Sequence, residues 1–278
     1  VGVMVLFGGI IVRIVISMRY VLEVLAYIVS IGLIGSGYFT SSEYQLWPIM
    51  VGCLLFAGSV FYTIGLHELK GDDPRTVFTL FMIVWGAVAI FYNESAIGFL
   101  TIIALMGILG FTVMVGPMSY SVGFSHKSTV SSGTMSALMI LVAYVVLHLF
   151  WKDAPAFVRV FMPGALWVGS FVGFIGILIL SSSFYDDDSG RYWVMQPVAI
   201  ILYCAAVTIG LIFDVVPLPG MAGTFLVLYL ASKPLDFDMR DAITVGISLM
   251  LCGGVLAGSW YFVTGNPAVA KHFISLVQ

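Results

Sequence analysis

Arg13 and Glu23 are the first residues in the chain that could do chemistry. Each lies about five residues from Met18, within otherwise apolar sequence. If the chain turns at Met18-Arg19, the two sit at similar depth in a helical hairpin and face one another. An ionisable side chain inside a membrane span is costly, and it marks a path for ions or protons unless a partner satisfies it. The plainer reading is a structural ion pair near the membrane surface, with Arg13 extending to the headgroups. The sharper one is a proton or cation relay in which Glu23 is the titrating group.

Glu68 and Asp214 form a second set. Each closes an apolar run and is followed by helix breakers: Gly71 and Pro74 after the first, and Pro217, Pro219 and Gly220 after the second. A broken helix sets backbone amides and carbonyls beside a carboxylate, as ion-coupled carriers require. Ordinary interfacial loops use the same residues and are the commoner case, because Pro and Gly end helices. Arg13, Glu23, Glu68 and Asp214 are therefore the candidates for a substrate or ion pathway.

The remaining reactive residues point to no reaction. His67, Glu68, Asp72 and Asp73 cluster, as do Asp186, Asp187 and Asp188, and again Asp236, Asp238 and Asp241. Divalent cations want several carboxylate oxygens, yet no spacing here matches a fixed metal loop, and solvated loop charge accounts for the clusters. His67 and His148 fall at opposite ends of their spans and His126 in a loop, so no shared haem iron is expected. Ser131-Ser132-Gly133 lacks the flanking glycine of a nucleophile elbow. Cys53, Cys204 and Cys252 lie in apolar runs without paired spacing, and they read as small buried apolar residues. Asn93-Glu94-Ser95 is formally a glycosylation sequon, but it is confined to a short hairpin. No catalytic residue, metal or cofactor is expected.

Composition decides what kind of scaffold holds these residues. Of 278 residues, 61% are hydrophobic and 9% charged, and the mean hydropathy is +1.11. A soluble domain carries about 25% charged residues because its surface faces water. Eleven basic and fourteen acidic side chains cannot cover a water-facing surface of this size. A globular cytosolic or secreted enzyme and a disordered chain are excluded. So is a nucleic-acid binder, which needs a basic face. The chain opens at Val1 without a Met or basic leader, so a trimmed chain is expected and no targeting signal is judged.

A span needs about 20 apolar residues to cross roughly 30 Å of hydrocarbon. Charge-poor runs between polar breaks predict about ten: Val1–Ser17, Tyr20–Tyr38, Leu46–Leu66, Thr76–Tyr92, Ser95–Val115, Ser131–Trp151, Ala156–Ser182, Tyr192–Phe213, Pro217–Ala231 and Ala242–Thr264. The first two could instead be one long tilted helix over Ile10–Phe39, which lowers the count to nine. Pro217–Ala231 is short enough to be a half-helix. The runs are continuous rather than alternating, unlike barrel strands, so the expected fold is an all-α polytopic transmembrane helical bundle. It forms a single integral membrane domain over residues 1–278.

Alternate breaks differ in basic charge. Arg13, Arg19, Lys70, Arg75, Lys127, Arg191, Lys233 and Arg240 share one side, against Lys152, Arg159 and Lys271 on the other. The loops with Lys70, Arg75, Lys127, Arg191, Lys233 and Arg240 are thus expected to be cytoplasmic, with both chain ends opposite. A shift of 146 residues aligns Val12-Arg13 with Val158-Arg159, Trp47 with Trp193 and Glu68 with Asp214. That hints at a 5+5 inverted repeat with halves near 1–120 and 131–265. Evenly spaced spans would mimic the same pattern. Small residues predict close helix contacts at Gly32, Gly35, Ser36 and Gly37, at Gly169, Gly173 and Gly176, and at Gly254 and Gly258.

Two functions fit this scaffold. The first is a secondary transporter or permease of a small solute, working by alternating access, with coupling to protons as one option. The second is a non-catalytic subunit packed within a larger membrane complex, which would explain the scarcity of buried polar groups. An intramembrane enzyme ranks third, for want of a nucleophile or metal set. The expected partners are lipids, other membrane subunits or further copies of the chain, and not nucleic acid.

Overall fold

The computed structural model describes residues 2–41, 44–67, 73–115, 120–124, 127–151, 154–183, 185, 189–236, 246, 250 and 253–254. It describes backbone alone at 2–18, 112–115, 120–122, 127–128, 189 and 234–236. In chain order the elements are α1 (Gly2–Ser36), α2 (Leu46–Leu66), α3 (Pro74–Tyr92), α4 (Ser95–Ile108), β1 (Phe111–Val115), β2 (Tyr120–Phe124), α5 (Lys127–Phe150), α6 (Ala156–Arg159), α7 (Met162–Leu180), α8 (Ser189–Ile212) and α9 (Pro217–Asp236). Among the described residues, six stretches are long and apolar enough to cross a membrane: Arg19–Ser36, Leu46–Leu66, Pro74–Tyr92, Thr129–Phe150, Ala156–Leu180 and Gly190–Ile212. They point to an integral membrane protein. The many exposed apolar side chains agree, among them Val21, Leu22, Val24, Leu25, Ile28 and Ile31 along α1.

The helices differ from the expected spans in three places. The chain does not turn at Met18-Arg19: α1 is one helix of 35 residues, about 52 Å long at 1.5 Å per residue. Met and Arg are good helix formers, and a charge alone does not break a helix. The Ser95–Val115 run is likewise not one span. α4 stops at Ile108, and Gly110 turns the chain at φ +89, a backbone geometry that glycine adopts without penalty. The apolar residues beyond it pair as an antiparallel hairpin, with Phe111 opposite Phe124 and Val115 opposite Tyr120. Pro217 opens α9, which runs on past Ala231 to Asp236 but is not among those six stretches. The Ala242–Thr264 run lies almost entirely outside the described residues.

The chain divides into two compact units, Val1–Ile108 with Ala154–Gly164, and Leu109–Asp153 with Ala165–Gln278. In the first, Ile49, Cys53 and Val60 of α2 pack with Phe81, Trp85 and Ala89 of α3, Ile97 and Ala104 of α4, and Val160. Trp85 stacks on Phe81 at 5.0 Å between ring centroids and donates its indole N–H to the Cys53 carbonyl at 3.3 Å. Asp73 caps α3 by accepting the Arg75 N–H at 3.1 Å, with Pro74 in the first turn, a common helix start. Asn93 ends the same helix in the left-handed region, at φ 54.

In the second unit, α7 lies against α5 along its glycines. A Cβ at Gly176 would stand 2.8 Å from the Thr134 Cβ, and one at Gly173 2.8 Å from Leu138 Cδ2. The expected close contact of Gly169, Gly173 and Gly176 is therefore found here. Of the set expected on the first span, Gly32 and Gly35 meet nothing, whereas a Cβ at Gly37 would stand 2.8 Å from Ile49 Cδ1. On α1 the close approach is at Ser30 and Ile34, where a Cβ on Gly52 of α2 would come within 2.9 Å of backbone. Gly254 meets nothing either, and Gly258 lies outside the described residues.

Candidate functional site

The α1–α2 seam determines what surrounds Glu23. On α1 the side chains turned from the exposed face include Glu23, Tyr27, Ser30 and Ile34, spaced four, three and four residues apart as one helix face requires. The close approach at Gly52 sets the register of the antiparallel pair, and about three to four turns further along α2 it brings Thr63 and His67 to Glu23. Thr63 donates its hydroxyl to Glu23 Oε1 at 2.6 Å. His67, which ends α2, places Nε2 3.3 Å from Glu23 Oε2. The Tyr27 and Thr63 hydroxyl oxygens are 3.0 Å apart. A hydroxyl has one proton, and that of Thr63 is directed to Glu23, so Tyr27 is the donor in that bond.

The Glu23 side chain keeps 13% of its surface exposed and the His67 side chain 38%. The carboxylate is thus sheltered, while the imidazole beside it reaches the end of the seam. Tyr20 covers that end, its ring 5.7 Å from the His67 ring. An open groove lined by Arg19, Phe61, Tyr62, Gly65 and Leu66 runs alongside. A sheltered carboxylate bonded to a hydroxyl and an imidazole can take up and release a proton without losing its partners.

The other pathway candidates are described only in part. Arg13 lies on the same helix, ten residues before Glu23, which is about 15 Å along the axis. The expected face-to-face pair is therefore overturned by the continuity of α1. The Arg13 side chain and the whole of Glu68 lie outside the described residues. Asp214 is exposed and belongs to the second unit. It adopts φ 56 and turns the chain between α8 and α9, with the Val215 N–H donating back to the Gly210 carbonyl at 3.0 Å. Its observed place is that of a loop residue at a helix end.

The acidic clusters are described only in part. Asp73 is the α3 cap, whereas Asp72, Asp186, Asp187, Asp188, Asp238 and Asp241 lie outside the described residues. His148 sits in the last turn of α5, and Ser131-Ser132-Gly133 lies within that helix. Cys53 is buried as expected, but Cys204 is exposed on α8. No three His, Cys, Asp or Glu side chains converge to hold a metal among the described residues.

A second polar cluster, unsuspected from the sequence, joins the ends of α7, α8 and α9. Lys233 donates to the Ser181 carbonyl at 2.8 Å, and its ammonium stands 4.6 Å from the Tyr229 ring centroid and 5.2 Å from that of Tyr192. Gln196 donates to the carbonyls of Ser181 and Tyr192 at 2.9 and 3.0 Å and accepts the Tyr229 hydroxyl at 2.7 Å. Lys233, expected in a loop, is thus in α9 and tied to the end of α7. The signal for both clusters was spacing: Glu23 and Tyr27, Thr63 and His67, and Tyr229 and Lys233 each stand four residues apart within a helix. Comparison with protein-family models, curated proteins and solved structures finds no match to this chain.

Proposed function

We propose that this membrane protein is a proton-coupled secondary transporter of a small solute, in which Glu23 is the group that binds and releases the coupling proton. One observation carries the reading: a carboxylate within an apolar span, sheltered and bonded across the α1–α2 seam to Thr63 and His67. Burial of such a group is costly and is retained where a charge must move. The basic residues near Lys70, Arg75, Lys127, Arg191 and Arg240 are read as cytoplasmic. Exposed apolar faces are read as lipid contacts.

The test is solid-supported-membrane electrophysiology on proteoliposomes holding the whole chain under an imposed pH gradient. The applied panel comprises amino acids, monocarboxylates, nucleosides and inorganic cations. The expected result is a transient current for one class that disappears in Glu23→Gln. Currents indistinguishable from empty vesicles across the panel would overturn carriage and favour the packing-subunit function. A current unchanged in Glu23→Gln would remove that residue from coupling.

A further inference from the structure

The hydrogen bonds around Glu23 form one chain that can run in two directions. With the carboxylate ionised, Tyr27 donates to Thr63 and Thr63 donates to Glu23 Oε1, because an ionised carboxylate only accepts. We propose that protonation of Glu23 reverses this chain, making Tyr27–Thr63–Glu23 a two-state switch that carries the carboxyl's protonation state one turn deeper into the α1–α2 seam. The Thr63 oxygen stands 2.6 Å from Oε1, whereas His67 Nε2 stands 3.3 Å from Oε2, so a proton on Oε1 has the nearer acceptor.

A proton taken up from water forms an O–H bond at Oε1, and that hydroxyl then donates to Thr63 Oγ1. Thr63 cannot donate back along the same line, so its own O–H rotates to donate to the Tyr27 oxygen. Tyr27 in turn stops donating to Thr63, accepts from it instead and directs its own proton elsewhere. One proton enters, one O–H bond forms, and two hydroxyls rotate. No oxidant, reductant or co-reactant takes part.

The surroundings favour a local switch. α1 brings Arg19, Tyr20 and Tyr27 to this region, and α2 brings Tyr62, Thr63 and His67. Of the helices packed on α2, α3 carries Arg75 and Tyr92, and the Tyr92 hydroxyl donates to the Ile34 carbonyl at 2.8 Å. α4 carries no charged side chain. The carboxylate's own bonds go to Thr63 and His67. Thr63 is therefore a positioning residue, the link through which Tyr27 senses Glu23.

Infrared difference spectroscopy of the whole chain in lipid vesicles, with ring-labelled tyrosine and a pH jump, tests this. Acidification should raise a carboxylic-acid C=O band that is absent in Glu23→Gln, together with a shift of the tyrosine C–O band that is lost in Tyr27→Phe. Thr63→Val should keep the acid band and lose the tyrosine shift, while Thr63→Ser should keep both. A wild-type spectrum without the tyrosine shift would overturn the proposal, because the proton would then sit on Oε2 facing His67 and leave Thr63 unturned. A shift that survives in Thr63→Val would do the same. Should Thr63→Val fail to fold, the wild-type, Tyr27→Phe and Thr63→Ser spectra still decide. The inference shares with the transport reading only the protonation of Glu23: both bands without coupled uptake would end carriage and leave the switch, and uptake without the tyrosine shift would do the converse.

Discussion

The Glu23 and Lys233 clusters solve the same problem in opposite ways. Each accommodates an ionisable side chain on a largely apolar helix, where an unsatisfied charge is costly. At Lys233 the ammonium only donates and the Ser181 carbonyl only accepts, while Tyr192 and Tyr229 offer ring faces. Those contacts can be wired one way. At Glu23 the hydroxyls of Thr63 and Tyr27 can both donate and accept, as can the imidazole of His67 through its tautomers. Those bonds can be wired two ways. The lysine cluster is thus suited to hold three helix ends together, and the glutamate cluster to change state without coming apart.

The sharpest way to break that contrast is to loosen the scaffold under the lysine. In Gly176→Leu, the first carbon of the new side chain already meets Thr134 at 2.8 Å, so α7 must move off α5. The expected cost is about 3 kcal/mol or more, at the upper end for overpacked sites, seen as a large drop in the thermal unfolding midpoint in detergent. A midpoint near wild type would mean that the seam yields easily and does not anchor the Ser181 end of α7. Next in size is Lys233→Met, which keeps the apolar stem but removes a charge-assisted hydrogen bond and two cation–π contacts. At a half-buried site this should cost about 1–2 kcal/mol, and it should leave the acid-induced infrared bands of Glu23 unchanged. An altered Glu23 band would show that the two clusters are coupled.

Much of this was legible from residue order, but not evenly. Leu46–Leu66 coincides with α2, and the run ending at Tyr92 coincides with the end of α3, because Pro74 and Asn93 mark the ends of α3 chemically as well as by hydropathy. Met18-Arg19 misled because a polar pair interrupts an apolar run without interrupting a helix. Phe111–Val115 misled in the other direction: an apolar run reads the same whether it continues as helix or pairs as strand, and the backbone at Gly110 decides. Glu23 stood out as a charge in an apolar run. Its partners did not, because their meeting depends on the register that Gly52 allows between α1 and α2. The Lys233 cluster was hidden for a related reason, since Gln196, Ser181 and Tyr229 meet only once three helix ends are in place.

The smallest expected effect on stability is also the most telling. Glu23→Gln keeps a carbonyl oxygen to accept from Thr63, and its amide can donate to a neutral His67 ring nitrogen. Both bonds across the seam therefore survive, while the chain is locked in the wiring of the ionised state. The thermal midpoint of this variant should stay at the wild-type value and lose whatever dependence on pH the α1–α2 seam contributes, even as coupled transport and the tyrosine band shift vanish. Thr63→Val is the control, since it does remove a bond and should lower the midpoint slightly. If Glu23→Gln instead destabilises the protein as much as Lys233→Met does, the carboxylate is holding helices together just as the ammonium is. The difference between the two regions would then be one of charge sign alone.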